Sequence, residues 1–210
     1  MDIREKEWVS HEDILALNFI RERPRGYFRQ HHRQGLRSVI MEILDPQAIE
    51  TERQGVVIGG VRRFPAAVPQ KIFRIFRTEF DSPESALRDI RRFKVALAYL
   101  TLRHMAVSQE MLLSYRVGNG YKMTLCGLQA YTEGEPLDMW GALPEVAPEE
   151  VRSFIQKVKL LAGDKALIAD LAGIGNIVHA RAGSLVLVDI NNFSEIHWDS
   201  QIHLDDKGYP

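Results

Sequence analysis

The sequence predicts an α+β protein built on antiparallel strands. Residues 71–80 alternate between two faces, which is strand periodicity. Residues 83–100 and 148–162 repeat apolar side chains at three- and four-residue steps, which is typical of amphipathic helices. Gly118-Asn119-Gly120 separates two apolar runs and indicates a hairpin turn. The element order is strands, helix, two strands, connector, helix, loop and two strands, which favours α+β over a parallel sheet.

Composition excludes several classes of protein. The chain has 210 residues, of which 45% are hydrophobic and 26% charged, as in ordinary globular proteins. Its formal charge of −1 argues against a general polyanion binder. Because the sequence has no long apolar run and its first residues are charged, we expect neither a membrane span nor a signal peptide. Cys126 is the single cysteine, so there is no internal disulfide. We expect a soluble cytoplasmic protein.

Residues 1–35 are predicted to form a basic N-terminal helix and arm. A helix is expected over residues 11–22, ended by Pro24-Arg25-Gly26. From Arg21 to Arg37 there are six arginines and two histidines, opposed only by Glu22. Such a patch can hold phosphates, although a solvated arm has the same composition. No nucleic-acid motif accompanies it, so nucleic acid is an alternative partner rather than the expected one.

Residues 36–130 are predicted to form a sheet with one packed helix. Strands are expected over residues 36–44, 55–64 and 71–80, with a bend at Gly59-Gly60. Ser82 is a suitable N-cap and Pro83 a suitable first residue for the helix that follows. Two further strands, 110–117 and 121–128, form the predicted hairpin.

Residues 131–210 contain three polar side chains in apolar surroundings. After a connector (131–148) and a helix (148–162, ended by Gly163), the chain places Asp170 and Asn176 in a glycine-bearing loop. Asp189 follows a Val-Leu-Val strand. A hairpin beginning after Asn176 would return Asp189 close to it, and these oxygen donors suit Mg²⁺. Turn capping by Asp and Asn is the alternative explanation.

This segment resembles the protein-kinase-like superfamily, including its small aminoglycoside-phosphotransferase-like branches. There the catalytic loop H-R-D-x-x-x-x-N is followed by a hairpin that leads to the D-F-G aspartate. By that resemblance Asp170 is the catalytic aspartate, and Asn176 and Asp189 are the metal ligands. Residues 125–137 are similar to the hinge between the kinase lobes. The resemblance implies that the backbone near Leu128, Gln129 and Ala130 meets an adenine edge.

The resemblance implies a two-lobed kinase-like fold, with an antiparallel N-lobe sheet, one packed helix, a hinge and a reduced C-lobe. The implied cofactors are ATP and Mg²⁺, and the implied activity is phosphate transfer to a small-molecule, lipid or protein acceptor. Residues 71–80 are similar to the lysine-bearing kinase strand. Three residues are candidates for the side chain that contacts phosphate: Lys71, Arg74 and Arg77. The alternative is that these residues lie on a solvated strand edge and have no such role.

Departures from the kinase pattern favour a second hypothesis. Five residues separate Asp170 from Asn176, where the motif has four, and Ile168 stands in the position of the motif histidine. There is no G-x-G-x-x-G, and the chain ends soon after Asp189. These features predict, as an alternative, a catalytically inactive pseudokinase that acts as a binding or regulatory module. A nucleic-acid-associated protein using the arginine-rich arm is the third hypothesis.

Overall fold

A computed structural model describes residues 2–17, 20, 26–30, 37–138, 145–190 and 193–196. Most of the predicted basic arm, 21–37, lies outside these ranges. Contacts divide the chain into two compact units. Unit 1 contains Met1–Ala86 and Ser108–Tyr131, and unit 2 contains Leu87–Val107 and Thr132–Pro210. The sequence grouped the helix after Pro83 with the sheet of residues 36–130, whereas from Leu87 onward the structure assigns it to unit 2.

Unit 1 is built on a five-stranded antiparallel sheet. Its elements, in chain order, are α1 (His11–Leu15), β1 (Tyr27–Gln30), β2 (Ser38–Leu44), α2 (Pro46–Gln54), β3 (Val56–Ile58), β4 (Val61–Arg63), β5 (Lys71–Phe76), β6 (Ser108–Val117) and β7 (Gly120–Ala130). The spatial order of the sheet is β1-β2-β5-β7-β6, and β3 pairs with β4 as a separate hairpin. The predicted α+β class and the hairpin at Gly118-Asn119-Gly120 are confirmed.

One face of this sheet carries the main core of unit 1. Alternate side chains of the strands point to it, as the two-residue period requires. Its buried members are Ile3, Val9, Ile14, Phe28, Val39, Met41, Phe73, Ile75, Leu113, Tyr115 and Cys126. Burial raises the pKa of the Cys126 thiol to about 11, so this side chain behaves as a small apolar residue.

Two elements of unit 1 differ from the sequence prediction. Asp45 does not merely end a strand; it caps α2 by accepting a hydrogen bond from the Gln47 amide at 2.7 Å. Arg29 lies in β1 rather than in a solvated arm, and its guanidinium pairs with Glu42 at 2.7 Å and Glu52 at 3.1 Å. Both carboxylates are distant in sequence from Arg29, so no local pattern could show this pairing.

Unit 2 combines two helices with short strands. Its elements are α3 (Pro83–His104, which enters this unit at Leu87), β8 (Gly134–Pro136), α4 (Pro148–Lys165), β9 (Leu167–Ala169), β10 (Ile177–Ala180), β11 (Leu185–Leu187) and β12 (Phe193–Glu195). The strands form two antiparallel sheets, β11-β10-β8 and β12-β9. The predicted cap of α3 is confirmed, since Ser82 Oγ accepts a hydrogen bond from the Ser85 amide at 3.2 Å.

The end of α4 departs from expectation, whereas the break in α3 lies one residue after its predicted span. Gly163 does not end α4; the helix continues to Lys165 and ends at Ala166, whose φ of 52° lies in the left-handed region. One glycine in a helix costs only about 1 kcal/mol, which tertiary packing overcomes. Thr101 breaks α3 near its end, with φ 60° and ψ 173°. Within the described ranges we find no helix that combines the length and the apolar composition needed to span a bilayer.

Candidate functional site

The loop between β9 and β10 is folded by two of the predicted side chains. Asp170 Oδ1 accepts hydrogen bonds from the amides of Ala172 at 3.0 Å and Gly173 at 3.3 Å. Asn176 Nδ2 donates to the Asp170 carbonyl at 3.1 Å. Asp170 and Asn176 are therefore held at the two ends of one compact turn.

The hairpin that follows brings the third side chain to this loop. β10 and β11 pair antiparallel, with Ile177 opposite Leu187. The Asn176 carbonyl accepts hydrogen bonds from the amides of Val188 at 2.8 Å and Asp189 at 3.4 Å. The expected return of Asp189 to Asn176 is confirmed at the level of the backbone, and Asp170, Asn176 and Asp189 are all half-buried.

Gly173 is a site residue that the sequence alone did not single out. A Cβ atom at this position would lie 2.4 Å from Asn176 Nδ2 and 2.8 Å from Asn176 Oδ1. No side chain larger than hydrogen fits there without displacing Asn176. The only local signal was the glycine content of the loop, which does not reveal what approaches the backbone.

A buried polar cluster anchors the hairpin that carries Asp189. The Glu150 carboxylate, in the first turn of α4, accepts a hydrogen bond from the Leu185 amide at 2.8 Å and pairs with Arg103. His104 places Nδ1 at 3.0 Å from the Leu185 carbonyl and Nε2 at 3.2 Å from Ser153 Oγ. Burial opposes ionisation of Glu150, but the Leu185 amide and Arg103 outweigh it and lower its pKa.

The three basic candidates lie on or next to β5 in unit 1. Lys71 is exposed at the start of the strand, and Arg74 is buried in the middle of the sheet. Arg77 follows the strand, and its carbonyl accepts a hydrogen bond from Arg4 Nη1 at 3.0 Å. Burial and the neighbouring charge of Arg4 lower the pKa of Arg77. Because β5 lies between β2 and β7, neither Lys71 nor Arg74 is on a sheet edge; Lys71 is exposed to solvent and Arg74 is buried.

The predicted adenine-binding segment forms the end of β7, an interior strand of the sheet. Leu128 and Gln129 have register partners on both β5 and β6, and Gln129 is buried. Ala130 is exposed and faces Lys71 in the register. Unit 1 ends one residue later, at Tyr131. A role for this segment in nucleotide binding stays a prediction.

The side-chain oxygens of Asn176 and Asp189 suit one kind of Mg²⁺ site. No group of three or more His, Cys, Asp or Glu side chains with metal-binding geometry occurs among the described residues. One carboxylate (Asp189) and one amide oxygen (Asn176) do not form a complete protein cage. They fit the arrangement in which Mg²⁺ keeps waters and takes further ligands from substrate phosphates.

Comparison of the chain with models of known protein families, and with curated proteins, finds no match. Its function is therefore inferred from the geometry of the loop and its supports.

Proposed function

We propose that the protein is a kinase-like, ATP- and Mg²⁺-dependent phosphotransferase whose metal-binding and acceptor-orienting groups lie in unit 2. The supporting observation is the set of hydrogen bonds that ties Asp170 to Asn176, and Asn176 to Asp189. These hydrogen bonds anchor the backbone of all three residues, and such anchoring would limit the reorganisation that accompanies binding of a metal–phosphate group.

Each of these side chains has a distinct role in the proposed reaction. Asn176 Oδ1 and the Asp189 carboxylate would hold Mg²⁺, which, when bound, neutralises charge on the phosphates. Asp170 orients the acceptor hydroxyl or accepts its proton at a carboxylate oxygen. A phosphate contact by Lys71, Arg74 or Arg77, and an adenine contact by Leu128, Gln129 or Ala130, remain predictions. The acceptor is a hydroxyl of a small molecule, a lipid or a protein.

Thermal unfolding with ATP and Mg²⁺ tests the binding step. At about 100 times the dissociation constant, a ligand stabilises the folded state by about 2.7 kcal/mol. For a chain of this size that corresponds to a rise in Tm of roughly 5–10 °C. We expect this rise to depend on Mg²⁺ and to disappear in Asp189→Asn. Asp164→Asn is the matched control, because Asp164 is an exposed α4 carboxylate that accepts from the Tyr99 hydroxyl at 3.2 Å.

Two results would contradict the assignment. One is a wild-type protein that melts cooperatively with no shift in ATP and Mg²⁺. The other is an Asp189→Asn variant that retains the full shift. If ATP binds, Asp170→Asn is expected to lower the turnover of ATP by at least about a hundredfold, as removal of a general base does. The Tm shift caused by ATP and Mg²⁺ should be unchanged.

A catalytically inactive, kinase-like binding or regulatory module is the second candidate. It is favoured by the contacts of Asp170, whose Oδ1 accepts two backbone amides as a turn-capping aspartate does. This pseudokinase-like module would melt cooperatively without a Tm shift in ATP and Mg²⁺, and it would show no Asp170-dependent turnover of ATP. Turnover of ATP that Asp170→Asn abolishes would exclude it.

Binding of nucleic acid by the arginine-rich arm stays a prediction, because most of residues 21–37 lie outside the described ranges. Its signature would be an affinity for duplex or single-stranded DNA that falls steeply with salt.

A further inference from the structure

The β3–β4 hairpin of unit 1 exposes several apolar side chains and pairs with no other strand in the described part of the chain. Among the described strands, β3 and β4 pair only with each other. Five apolar residues in and just after the hairpin are each more than half exposed: Val57, Ile58, Val61, Phe64 and Val68. An isolated two-stranded hairpin is marginally stable in water at best. The hairpin therefore presents exposed apolar side chains of the kind that mark an interaction site.

The base of the hairpin is firmly attached to the rest of unit 1. Arg62 Nη1 donates to the Gln54 carbonyl at the end of α2, at 3.2 Å. Beyond the hairpin, the Ala67 amide donates to Glu52 Oε2 at 2.7 Å, and the Ala67 carbonyl accepts from Arg29 Nη2 at 3.3 Å. Because the base is fixed and the tip is exposed, the tip is suited to insertion into an apolar surface.

The tip itself carries no charge and no polar side chain. Its sequence is Ile58-Gly59-Gly60-Val61, and Ile58 lies opposite Val61 in the register. A Cβ atom at Gly59 or Gly60 would meet nothing within 4 Å, so the turn stands in open space. Two exposed aliphatic side chains are thus the first groups that an approaching surface would meet.

The charged residues in the stretch that contains the hairpin are all basic. The stretch from Arg53 to Lys71 contains four basic residues and no Asp or Glu, in a chain of net charge −1. Arg62 lies opposite Val57, and Arg63 lies opposite Val56. Arginine can extend its aliphatic stem along apolar groups while its guanidinium reaches a phosphate layer. The nearest acidic side chain along the chain, Glu52, is already paired with Arg29.

We propose that the β3–β4 hairpin docks the protein on an anionic lipid surface, with Ile58 and Val61 inserted between headgroups and Arg62 and Arg63 on the lipid phosphates. Charge complementarity selects an anionic partner. The two tip side chains, Ile58 and Val61, favour lipid over nucleic acid, since neither offers a ring on which a base can stack. An aliphatic tip has a natural environment at the boundary of the acyl chains.

Vesicle sedimentation of the full chain tests this proposal. The probes are vesicles of phosphatidylcholine alone and vesicles that also contain phosphatidylserine. We expect binding to the anionic vesicles only. Arg63→Gln should weaken that binding about fivefold, the equivalent of about 1 kcal/mol per basic residue near the surface. Arg62→Gln should weaken it by at least as much, because it also removes the hydrogen bond to the Gln54 carbonyl. Ile58→Ser with Val61→Ser should weaken it by at least as much, with Tm unchanged because both side chains are exposed.

The other hairpin of unit 1 supplies matched controls. Tyr121 and Arg116 are exposed near the β6–β7 turn. Tyr121→Ser and Arg116→Gln should leave vesicle binding unchanged. Insertion can be followed directly with an environment-sensitive dye on Val61→Cys, because the native Cys126 is buried and will not be labelled. The emission of the dye should rise only with the anionic vesicles.

Three outcomes would overturn the proposal. The first is that the wild type fails to bind anionic vesicles. The second is that the tip variants bind them as well as the wild type does. The third is arginine-dependent binding to heparin or single-stranded DNA that is as strong as vesicle binding and is unaffected by the tip substitutions. That result would identify a soluble polyanion as the partner. None of these results bears on nucleotide binding in unit 2.

Discussion

Gly173 determines where the Asn176 side chain lies. The close approach of the Asn176 amide to the Gly173 backbone leaves no room for a methyl group. The orientation of that amide also sets which atom a metal ion would meet, because Nδ2 is committed to the Asp170 carbonyl. The candidate site thus depends on a residue that has no functional atom of its own.

Gly173→Ala is therefore expected to displace Asn176 and to remove the Mg²⁺-dependent Tm shift. Stability should fall by about 1–3 kcal/mol, as for other overpacked positions, measured by urea unfolding. Gly163→Ala is the matched control, since a Cβ atom at Gly163 meets nothing within 4 Å. It should stabilise α4 by about 0.5–1 kcal/mol. An unchanged nucleotide shift in Gly173→Ala would show that Asn176 is not a ligand.

Glu150 illustrates how a buried carboxylate positions a distant strand. Glu150→Gln keeps the shape but places an amide beside Arg103, so we expect a loss of about 1–3 kcal/mol in the free energy of unfolding. Glu149→Gln, an exposed neighbour in the same turn, should change it by no more than about 0.5 kcal/mol. Equal urea midpoints for the two variants would contradict a structural role for Glu150.

At the scale of the elements, two helix ends adopt backbone conformations that suit glycine better. Ala166 has φ 52° and Thr101 has φ 60°. Left-handed conformations cost a residue with a Cβ about 1–2 kcal/mol. We expect Ala166→Gly to raise the free energy of unfolding by up to about 1 kcal/mol, read from the urea midpoint. A fall in the midpoint would mean that α4 does not end at this residue.

The N-terminal segment is attached to the sheet of unit 1 by a buried carboxylate. Asp2 Oδ1 accepts a hydrogen bond from the Tyr115 hydroxyl on β6 at 2.8 Å, and the Asp2 carboxylate pairs with Arg4. Tyr115→Phe removes one donor from a buried charge and should cost about 1.5–3 kcal/mol. Tyr121→Phe, on an exposed tyrosine of β7, should cost nothing measurable in the same urea titration.

At the scale of the whole molecule, paired carboxylates determine the response to acid. The pKa values of five of them are lowered: Asp2, Asp13, Glu52, Glu79 and Glu150. Burial opposes ionisation of Asp2 and Glu150, but hydrogen bonds and opposite charges outweigh it. A carboxyl whose folded pKa lies below its unfolded value stabilises the fold above that value, and the contribution is lost as the pH falls through the folded pKa.

The urea midpoint should therefore be highest near neutral pH and fall progressively below about pH 5. Glu150→Gln should flatten this fall, because one of the five carboxyls no longer titrates. At alkaline pH the dependence of the urea midpoint on pH has the opposite sign. Burial and Asp2 raise the pKa of Tyr115, so its contribution is complete below about pH 10 and is lost only as the pH rises further. A midpoint that does not change between pH 7 and pH 3 would contradict this account.

Periodicity and turn chemistry were enough to predict the main elements. The alternation of β5, the apolar repeat of α3 and α4, and the Gly118-Asn119-Gly120 turn are local signals, since each arises within one element. The same holds for the β10–β11 hairpin, which sets Asp189 beside Asn176 by chain geometry alone. The β8 strand lies in a stretch that the sequence predicted as a connector, because three residues carry no period.

By itself the sequence determined the α+β class and the return of Asp189 to Asn176 across the β10–β11 hairpin. Only the tertiary structure decided that Arg74 is buried, that Arg29 lies in a strand, that Glu150 supports Leu185 and that Gly173 makes room for Asn176. The physical reason is the range of the interaction. Local patterns follow from backbone geometry over a few residues, whereas burial and ion pairing depend on groups that meet only when distant strands and helices pack together.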